Sequence, residues 1–276
     1  MTTVTDVARD WSAVAEAWDA NVDEVDTHSA EPTAALLHRV AVRPGDRVLE
    51  LAAGPGSLGV TLSELSGPTG SVVLSDIAPG MVEVAGRRNA GNANVTVAVL
   101  DASAIDRPDD SFDVVICRMG LMFAPDPTRA LAEIARILAP GGRLGALTWA
   151  GLEHNPWMTC VGMAAMANGL VSGGPPVGPG GIFSLGDPDR LSSLVKGAGL
   201  LDVVVEDFPI LFRSDSIDAH VTRVASLAGP LAGALKSASV EQLAALRGTA
   251  AQLAAPYITP GGVEIPGRAL LVTARA

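Results

Sequence analysis

Cysteine is nearly absent from this sequence of 276 residues, and its scarcity excludes several kinds of small-domain architecture. The two cysteines, Cys117 and Cys160, are far apart and too few to frame a disulfide scaffold. We expect both to be free thiols that pack as small hydrophobic side chains. No Cys/His pairs have the spacing of zinc ligands, which argues against a structural zinc site.

Basic residues and long apolar runs are also lacking. The 19 Lys and Arg residues are outnumbered by 30 Asp and Glu, giving a formal net charge of -11, so nucleic acid is not an expected partner. The chain is 48% hydrophobic but has no uninterrupted apolar run of about 18 residues, so no membrane span is predicted. Residues 1–10 lack the basic-then-apolar layout of a signal peptide, and we expect a cytoplasmic protein.

Short apolar segments alternate with helical segments between residues 43 and 150. The strands predicted there are 47–51, 72–76, 95–100, 112–117 and 143–149. Five such strands separated by helices are typical of a parallel sheet covered on both faces. The sequence therefore predicts a doubly wound α/β domain.

The flanking segments predict further elements, and two more strands bring the sheet to seven. Helices are predicted over 8–22, 31–42, 155–168, 187–198, 216–236 and 239–255, and strands over 203–213 and 268–273. A helix ending at Leu138 is predicted after Asp126, an N-cap residue, with Pro127 at the first helical position. Residues 173–181, rich in glycine and proline, are predicted to form a loop without regular structure.

Residues 48–59 combine an acid inside a strand with a glycine-rich turn. Gly54, Gly56 and Gly59 match the G-x-G-x-x-G nucleotide fingerprint, which is a weak signal alone. The position of the turn is more informative, because ligands of doubly wound sheets bind outside the carboxyl ends of the strands. This stretch is therefore predicted to border the ligand site.

Three acids lie in or after successive strands: Glu50, Asp76 and Asp101. The first can neutralise an ammonium group, the second can accept hydrogen bonds from both ribose hydroxyls, and the third can accept one from an adenine amine. Asp76 or Asp101 alone would more often be a solvated strand end or a helix cap. A charge inside a buried strand is costly without a partner, so Glu50 is less easily explained that way. Together the acids indicate a nucleoside that carries an amino group.

These motifs resemble those of the class I methyltransferases that use S-adenosylmethionine. The segments that carry the resemblance are 48–56, 75–76, 100–102, 112–116 and 138–144. The run 117–123, with Trp149 and residues 155–157, resembles a bacterial branch related to the ubiquinone/menaquinone-biosynthesis methyltransferases. The resemblance implies a Rossmann-like fold with the last strand antiparallel. We expect a helical cap over 1–42 and a methyltransferase domain over 43–276, with a lid insertion at about 150–190.

The resemblance also implies a set of residues that bind S-adenosylmethionine. The predicted set is Glu50, Ala52, Gly54, Gly56, Asp76, Ile77, Met81, Asp101, Ala102 and Arg118. Glu50 and the backbone of the turn would hold the methionine portion, Asp76 the ribose, Ile77 the adenine ring, and Asp101 with Ala102 its amino edge. Ala52 stands where the family most often has glycine, and its methyl group narrows the approach to the ligand.

A nicotinamide dinucleotide site is the rival explanation of the same glycines, with Asp76 as the ribose acid. Two features argue against it. A pyrophosphate makes no use of an acid at Glu50, and the predicted closing strand pair is the arrangement that the methyltransferases use.

Methyl transfer from a sulfonium depends mainly on positioning, and a base is needed only if the acceptor must lose a proton. His154, after the fifth strand, is the candidate base or else a polar turn residue; His28 is a weaker candidate. Arg118 could hold a carboxylate, or could pair with Asp113 or Asp126. No Asp/Asn cluster follows the fourth strand, so no metal is expected.

The acceptor is predicted to be a small, largely apolar molecule bound under a helical cap made of residues 8–42 and 150–190. Side chains that could contact it, or could instead belong to the core, are Trp11, Trp18, Met119, Met122, Trp157 and Met163. A protein that binds S-adenosylmethionine without transferring its methyl group is the second hypothesis. A homodimer is compatible with the sequence.

Overall fold

The computed structural model describes residues 4–172 and 177–276, and within these ranges eight strands form one sheet. They are β1 Arg47–Leu51, β2 Ser71–Asp76, β3 Val95–Val99, β4 Phe112–Arg118, β5 Leu138–Trp149, β6 Leu201–Ser214, β7 Ile258–Thr259 and β8 Gly262–Arg275. The strand order is β3-β2-β1-β4-β5-β8-β6, and β7 pairs only with β8. Strands β1 to β5 are parallel, whereas β8 is antiparallel to both β5 and β6. The doubly wound, mostly parallel sheet with an antiparallel last strand is thus confirmed, and the two-residue β7 adds an eighth strand.

β5 and β8 begin well before their predicted starts, whereas the other predicted strands begin within two residues of theirs. β5 starts at Leu138 because the chain pairs with β4 at once and then bulges through residues 139–142, where Gly141 has φ +76°. β8 starts at Gly262 because its first half pairs with the end of β6 and with β7. Both extensions depend on partner strands and leave no local signal in the sequence.

The helices are α1 Val4–Ser12, α2 Ala15–Ala20, α3 Val22–His28, α4 Ala30–Val40, α5 Gly59–Ser66, α6 Pro79–Asn89, α7 Pro127–Ile137, α8 Pro156–Ala167, α9 Pro188–Gly197, α10 Ile217–Leu227, α11 Gly229–Lys236 and α12 Val240–Leu253. The single helix predicted over 8–22 is wrong: the chain turns at Val14 and again at Asn21, giving three short helices. The helix predicted over 216–236 is interrupted at Ala228, which is extended and is the N-cap of α11, with Pro230 in the first turn of that helix. None of the helices in the described ranges is long and apolar enough to cross a membrane.

Helices cover both faces of the sheet. α4 and α5 pack on one face through Leu36, Val40 and Leu62, and α7 and α9 pack on the other through residues such as Leu131 and Leu191. A Cβ at Gly145 of β5 would lie 2.2 Å from a methyl group of Val40. The absence of a side chain at Gly145 thus allows α4 to lie very close to β5. Of residues 1–42, therefore, α4 belongs to the layer on the sheet, and α1 to α3 are left as candidates for the predicted cap.

α1 to α3 lie at the carboxyl ends of the central strands. The Ser12 hydroxyl accepts a hydrogen bond from the Gly80 amide at 3.2 Å, and the rings of Trp11 and Phe123 are 5.0 Å apart. Beside them, α8, α10 and α12 pack with β6 and β8 around a separate hydrophobic cluster that includes Trp157 and Phe212. The ligand edge of the sheet is thus overlaid by helices from both ends of the chain.

Candidate functional site

Glu50 is the most unusual residue at the carboxyl edge. Its side chain is only 1% exposed, between Leu74 of β2 and Ile116 of β4, and its Oε2 has no hydrogen-bond partner among the residues that the structure describes. Burial raises the pKa of Glu50 to about 7; the cation Arg118 opposes this, and the nearby Asp26 and Asp76 carboxylates add to it. An orphaned buried carboxyl is costly in a folded protein, so this oxygen is suited to receive a cationic donor from a ligand.

Asp76, at the end of β2, is 8% exposed and accepts hydrogen bonds from the amides of Ala78 at 2.9 Å and Gly54 at 3.0 Å. Burial raises the pKa of this carboxyl, and backbone amides that include Ile77 oppose the shift. A carboxylate has about four acceptor positions, so each oxygen keeps capacity for a further donor such as a ribose hydroxyl. Asp76 thereby ties the turn after β1 to the end of β2.

Ala52 begins the turn in the left-handed region, at φ +51°, and is exposed. An alanine pays a steric cost in this region that glycine avoids, which explains the family's preference for glycine. Its methyl group faces Gly120 across the ends of β1 and β4: a Cβ at Gly120 would lie 2.2 Å from that of Ala52. A side chain at position 120 and the methyl group of Ala52 would therefore occupy the same space.

The fingerprint glycines are required for two reasons, a left-handed backbone at Gly54 and Gly56 and close packing at Gly56 and Gly59. Gly54 has φ +55° and would have open space around a Cβ, so its conformation is what requires glycine. At Gly56 and Gly59 a Cβ would collide with Ala85 and Asn89 of α6 respectively, and the Gly56 carbonyl accepts a hydrogen bond from the Asn89 amide. These two glycines allow close packing of α6, and the backbone of the predicted ligand residue Gly56 is already engaged by the protein.

Arg118, at the end of β4, pairs with neither of the predicted alternatives. Asp113 is bound to Arg47 at 2.9 Å, and the Asp126 carboxylate caps α7 by accepting from the Arg129 amide. The Arg118 guanidinium instead donates to Asp26 and to Ser57, as described below. Asp26 and Ser57 were missed from the sequence. Ser57 fills a position of the glycine fingerprint at which any residue is allowed, and Asp26 is 92 positions from Arg118 and stands in no motif.

The remaining predicted ligand residues occupy different surroundings. Asp101 is half-buried, and its Oδ1 accepts a hydrogen bond from the Ser103 amide at 2.8 Å. Ala102 and Ile77 are half-buried near the ends of β3 and β2. Met81 is 2% exposed and packs with Val14, in a cluster that joins α6 to the N-terminal helices. Met81 therefore contributes to the packing of α6 against the N-terminal helices, and its contact with a ligand stays a prediction.

The histidines lie away from this acid cluster. His154 is exposed, with its Nε2 3.4 Å from Glu153, and lines a cavity of ≈ 760 Å³ beside β6 and β8. His28 lines the same cavity, but both ring nitrogens are used, Nδ1 by the Glu24 carbonyl and Nε2 by the Arg213 amide. Burial lowers the pKa of His28, which keeps the ring neutral.

His220, in α10, has a structural environment. It is fully buried, and its Nε2 donates to the Trp157 carbonyl at 2.7 Å. Met122 and Trp157, two of the predicted acceptor contacts, are buried in core clusters, whereas Met163 is exposed on α8. Met119 remains at the edge, half-buried and left-handed at φ +58°.

The segment of the chain that forms this edge of the sheet matches a known protein family. Residues 48–142, which include β2 to β4, all of β1 except Arg47, and all three acids, match the family described as "Methyltransferase domain". The acid cluster thus lies in a part of the chain that resembles a methyltransferase domain. The resemblance predicted from the motifs is confirmed, and no comparison supports the dinucleotide alternative.

Relatives and solved structures agree with this assignment. A ubiquinone/menaquinone biosynthesis C-methyltransferase, UbiE, of Pseudoalteromonas translucida is 41% identical over 117 residues, which are 41% of this chain and 46% of the relative. The chain thus spans about half the length of the curated relatives it matches. A putative methyltransferase of Bacillus halodurans has the same fold, with a TM-score of 0.58 and 20% identity over 88% of this chain and 97% of its own.

A third neighbour limits what the fold alone can say about the activity of this chain. The [4+2]-cyclase SpnF superposes with a TM-score of 0.54 at 21% identity, over 89% of this chain and 79% of its own. One fold can host unrelated reactions. The activity of this chain must therefore be argued from its own residues.

Proposed function

We propose that this protein is an S-adenosylmethionine-dependent methyltransferase that acts on a small, largely apolar acceptor. The observation that carries the proposal is the orphaned Oε2 of Glu50 beside Asp76, within the segment that resembles a methyltransferase domain. Glu50 offers an acceptor to the ligand's ammonium, and Asp76 offers acceptors to its ribose hydroxyls. Asp101 and Ala102 would meet the adenine edge, with Ile77 against the ring.

When bound, S-adenosylmethionine supplies a methyl group on a sulfonium that is already activated for displacement. The protein's contribution is then to hold donor and acceptor in line and to exclude water. Arg118, 12% exposed at the end of β4, is placed to hold a carboxylate. The apolar surface of Trp11, Met119 and Phe123 would face the acceptor, and His154 remains the candidate base for an acceptor that must lose a proton.

Equilibrium binding of S-adenosylmethionine, measured by calorimetry, tests the cofactor. Asp76→Ala should weaken binding at least about tenfold, since a charged hydrogen-bond partner is worth about 1.5–3 kcal/mol. Asp109→Ala is the matched control, because this exposed aspartate precedes β4 at the opposite edge of the sheet. Absence of binding to the wild type, or equal binding by both variants, would refute the assignment.

Production of S-adenosylhomocysteine tests the transfer itself. The names of the relatives make precursors of ubiquinone and menaquinone the first acceptors to try. Binding without turnover across a broad acceptor panel would favour the second hypothesis, a protein that uses the cofactor without methyl transfer. We also propose a cytoplasmic location, supported by two free, buried cysteines.

A further inference from the structure

Helix α3 reaches the site through a triangle of polar side chains. Arg118 Nη1 donates to Asp26 Oδ1 at 2.7 Å, and Arg118 Nη2 donates to Ser57 Oγ at 2.6 Å. Ser57 Oγ in turn donates to Asp26 Oδ1 at 3.2 Å. The three side chains come from α3, the glycine turn and β4. Both terminal nitrogens of Arg118 are thus engaged inside the protein.

The cofactor of the proposed function carries a carboxylate of its own. Arginine binds carboxylates best through two parallel hydrogen bonds from its nitrogens. Asp26 and Ser57 each accept from one N–H of these nitrogens. A ligand carboxylate that binds through both nitrogens must therefore approach beside the Asp26 carboxylate and competes with it for Arg118. Binding of the Asp26 carboxylate and the ligand carboxylate at the same time is unfavourable because the site is rich in negative charge. Asp26 and Asp76 both act on Glu50 as anions, and Arg118 is the cation that acts on it.

We infer that Asp26 is a positioning residue that holds Arg118 until the carboxylate of S-adenosylmethionine takes its place, so that cofactor binding releases α3 from the site. The inference rests on the proposed function. α3 then acts as a latch. In the closed form Asp26 is paired with Arg118, and in the open form the carboxylate of the cofactor binds Arg118 instead.

Two ligands that differ only in the carboxylate test the latch. S-adenosylmethionine and decarboxylated S-adenosylmethionine share the ammonium, sulfonium and nucleoside, and their affinities for the full-length protein are measured by calorimetry. The preference is the affinity for S-adenosylmethionine divided by the affinity for the decarboxylated ligand. In Asp26→Asn and Asp26→Ala this ratio should rise at least about fivefold, a modest coupling between two sites. Asp26→Glu restores the charge and should return the preference towards that of the wild type.

Asp23→Asn is the matched control, because Asp23 is exposed on the same helix and its loss changes the net charge equally. It should leave the preference unchanged. If Asp26→Asn weakens both ligands by the same factor, or leaves their ratio unchanged, the latch is overturned and the proposed function stands. If the wild type binds neither ligand, both proposals fail.

Discussion

At the scale of the single residue, Glu50 makes stability depend on pH. Its carboxyl has an ordinary pKa of 4.5 in the unfolded chain, and burial raises the pKa to about 7 in the folded protein. Between these values the folded state binds more protons, so the stabilisation by Glu50 is complete below pH 4.5 and is lost as pH rises through about 7. The folded protein keeps a proton that the unfolded chain releases.

Comparison with Glu50→Gln isolates this effect. The free energy of unfolding of the wild type, minus that of the variant, should fall between pH 4.5 and about 7. Denaturant titrations at several pH values measure the difference, and other acids such as Asp76 cancel because both proteins contain them. A difference that is constant across this range would mean that Glu50 does not hold its proton when folded.

At the scale of elements, the ends of β1 and β4 are coupled through Ala52 and Gly120. Gly120→Ala should destabilise the wild type by about 1–3 kcal/mol, because the new Cβ would lie 2.2 Å from that of Ala52. In the Ala52→Gly background, the atom nearest to the new Cβ at position 120 would be the Cys117 sulfur at 3.3 Å. The destabilisation caused by Gly120→Ala should therefore be smaller there by at least about 1 kcal/mol. Denaturant unfolding of the four proteins measures this coupling.

Gly248→Ala is the control for that cycle. It lies in α12 with no atom within 4 Å of a new Cβ, so its effect should simply add to that of Ala52→Gly. Equal costs of Gly120→Ala in both backgrounds would show that the two strand ends do not share space.

At the scale of the whole molecule, polar contacts to distant segments help to hold the N-terminal helices, in addition to the apolar cluster around Val14 and Met81. Trp18 Nε1 donates to the Leu227 carbonyl at 3.0 Å, and Arg87 binds Glu16 at 2.7 Å. Trp18→Phe should therefore speed amide exchange in residues 15–28 several-fold, with the amides of β1 and β4 unchanged. Mass spectrometry of exchanged peptides measures this.

Arg87→Ala offers a comparison for the Trp18 variant. It removes an exposed ion pair, which contributes at most about 1 kcal/mol, so exchange in the same residues should change little. Equal exchange in wild type and Trp18→Phe would show that the indole hydrogen bond does not hold α2.

The sequence predicted those parts of the molecule that depend on local pattern. Five apolar strands and the acids at their ends follow from periodicity and turns, and they place Glu50 and Asp76 correctly at one edge. The start of β8 and the partner of Arg118 depend on contacts between distant segments. Asp26 has no local feature that distinguishes it from its neighbours on α3, so only the folded chain reveals its position.

The antiparallel β8 also has a consequence for synthesis on the ribosome. Among the described strands, β6 pairs only with β8, and β8 separates it from β5. Both β5 and β6 therefore leave the ribosome with an unpaired strand edge. These edges stay unpaired until α10 to α12 and then β8 have been synthesised. The growing chain should be most prone to aggregate, and most dependent on chaperones, during that interval.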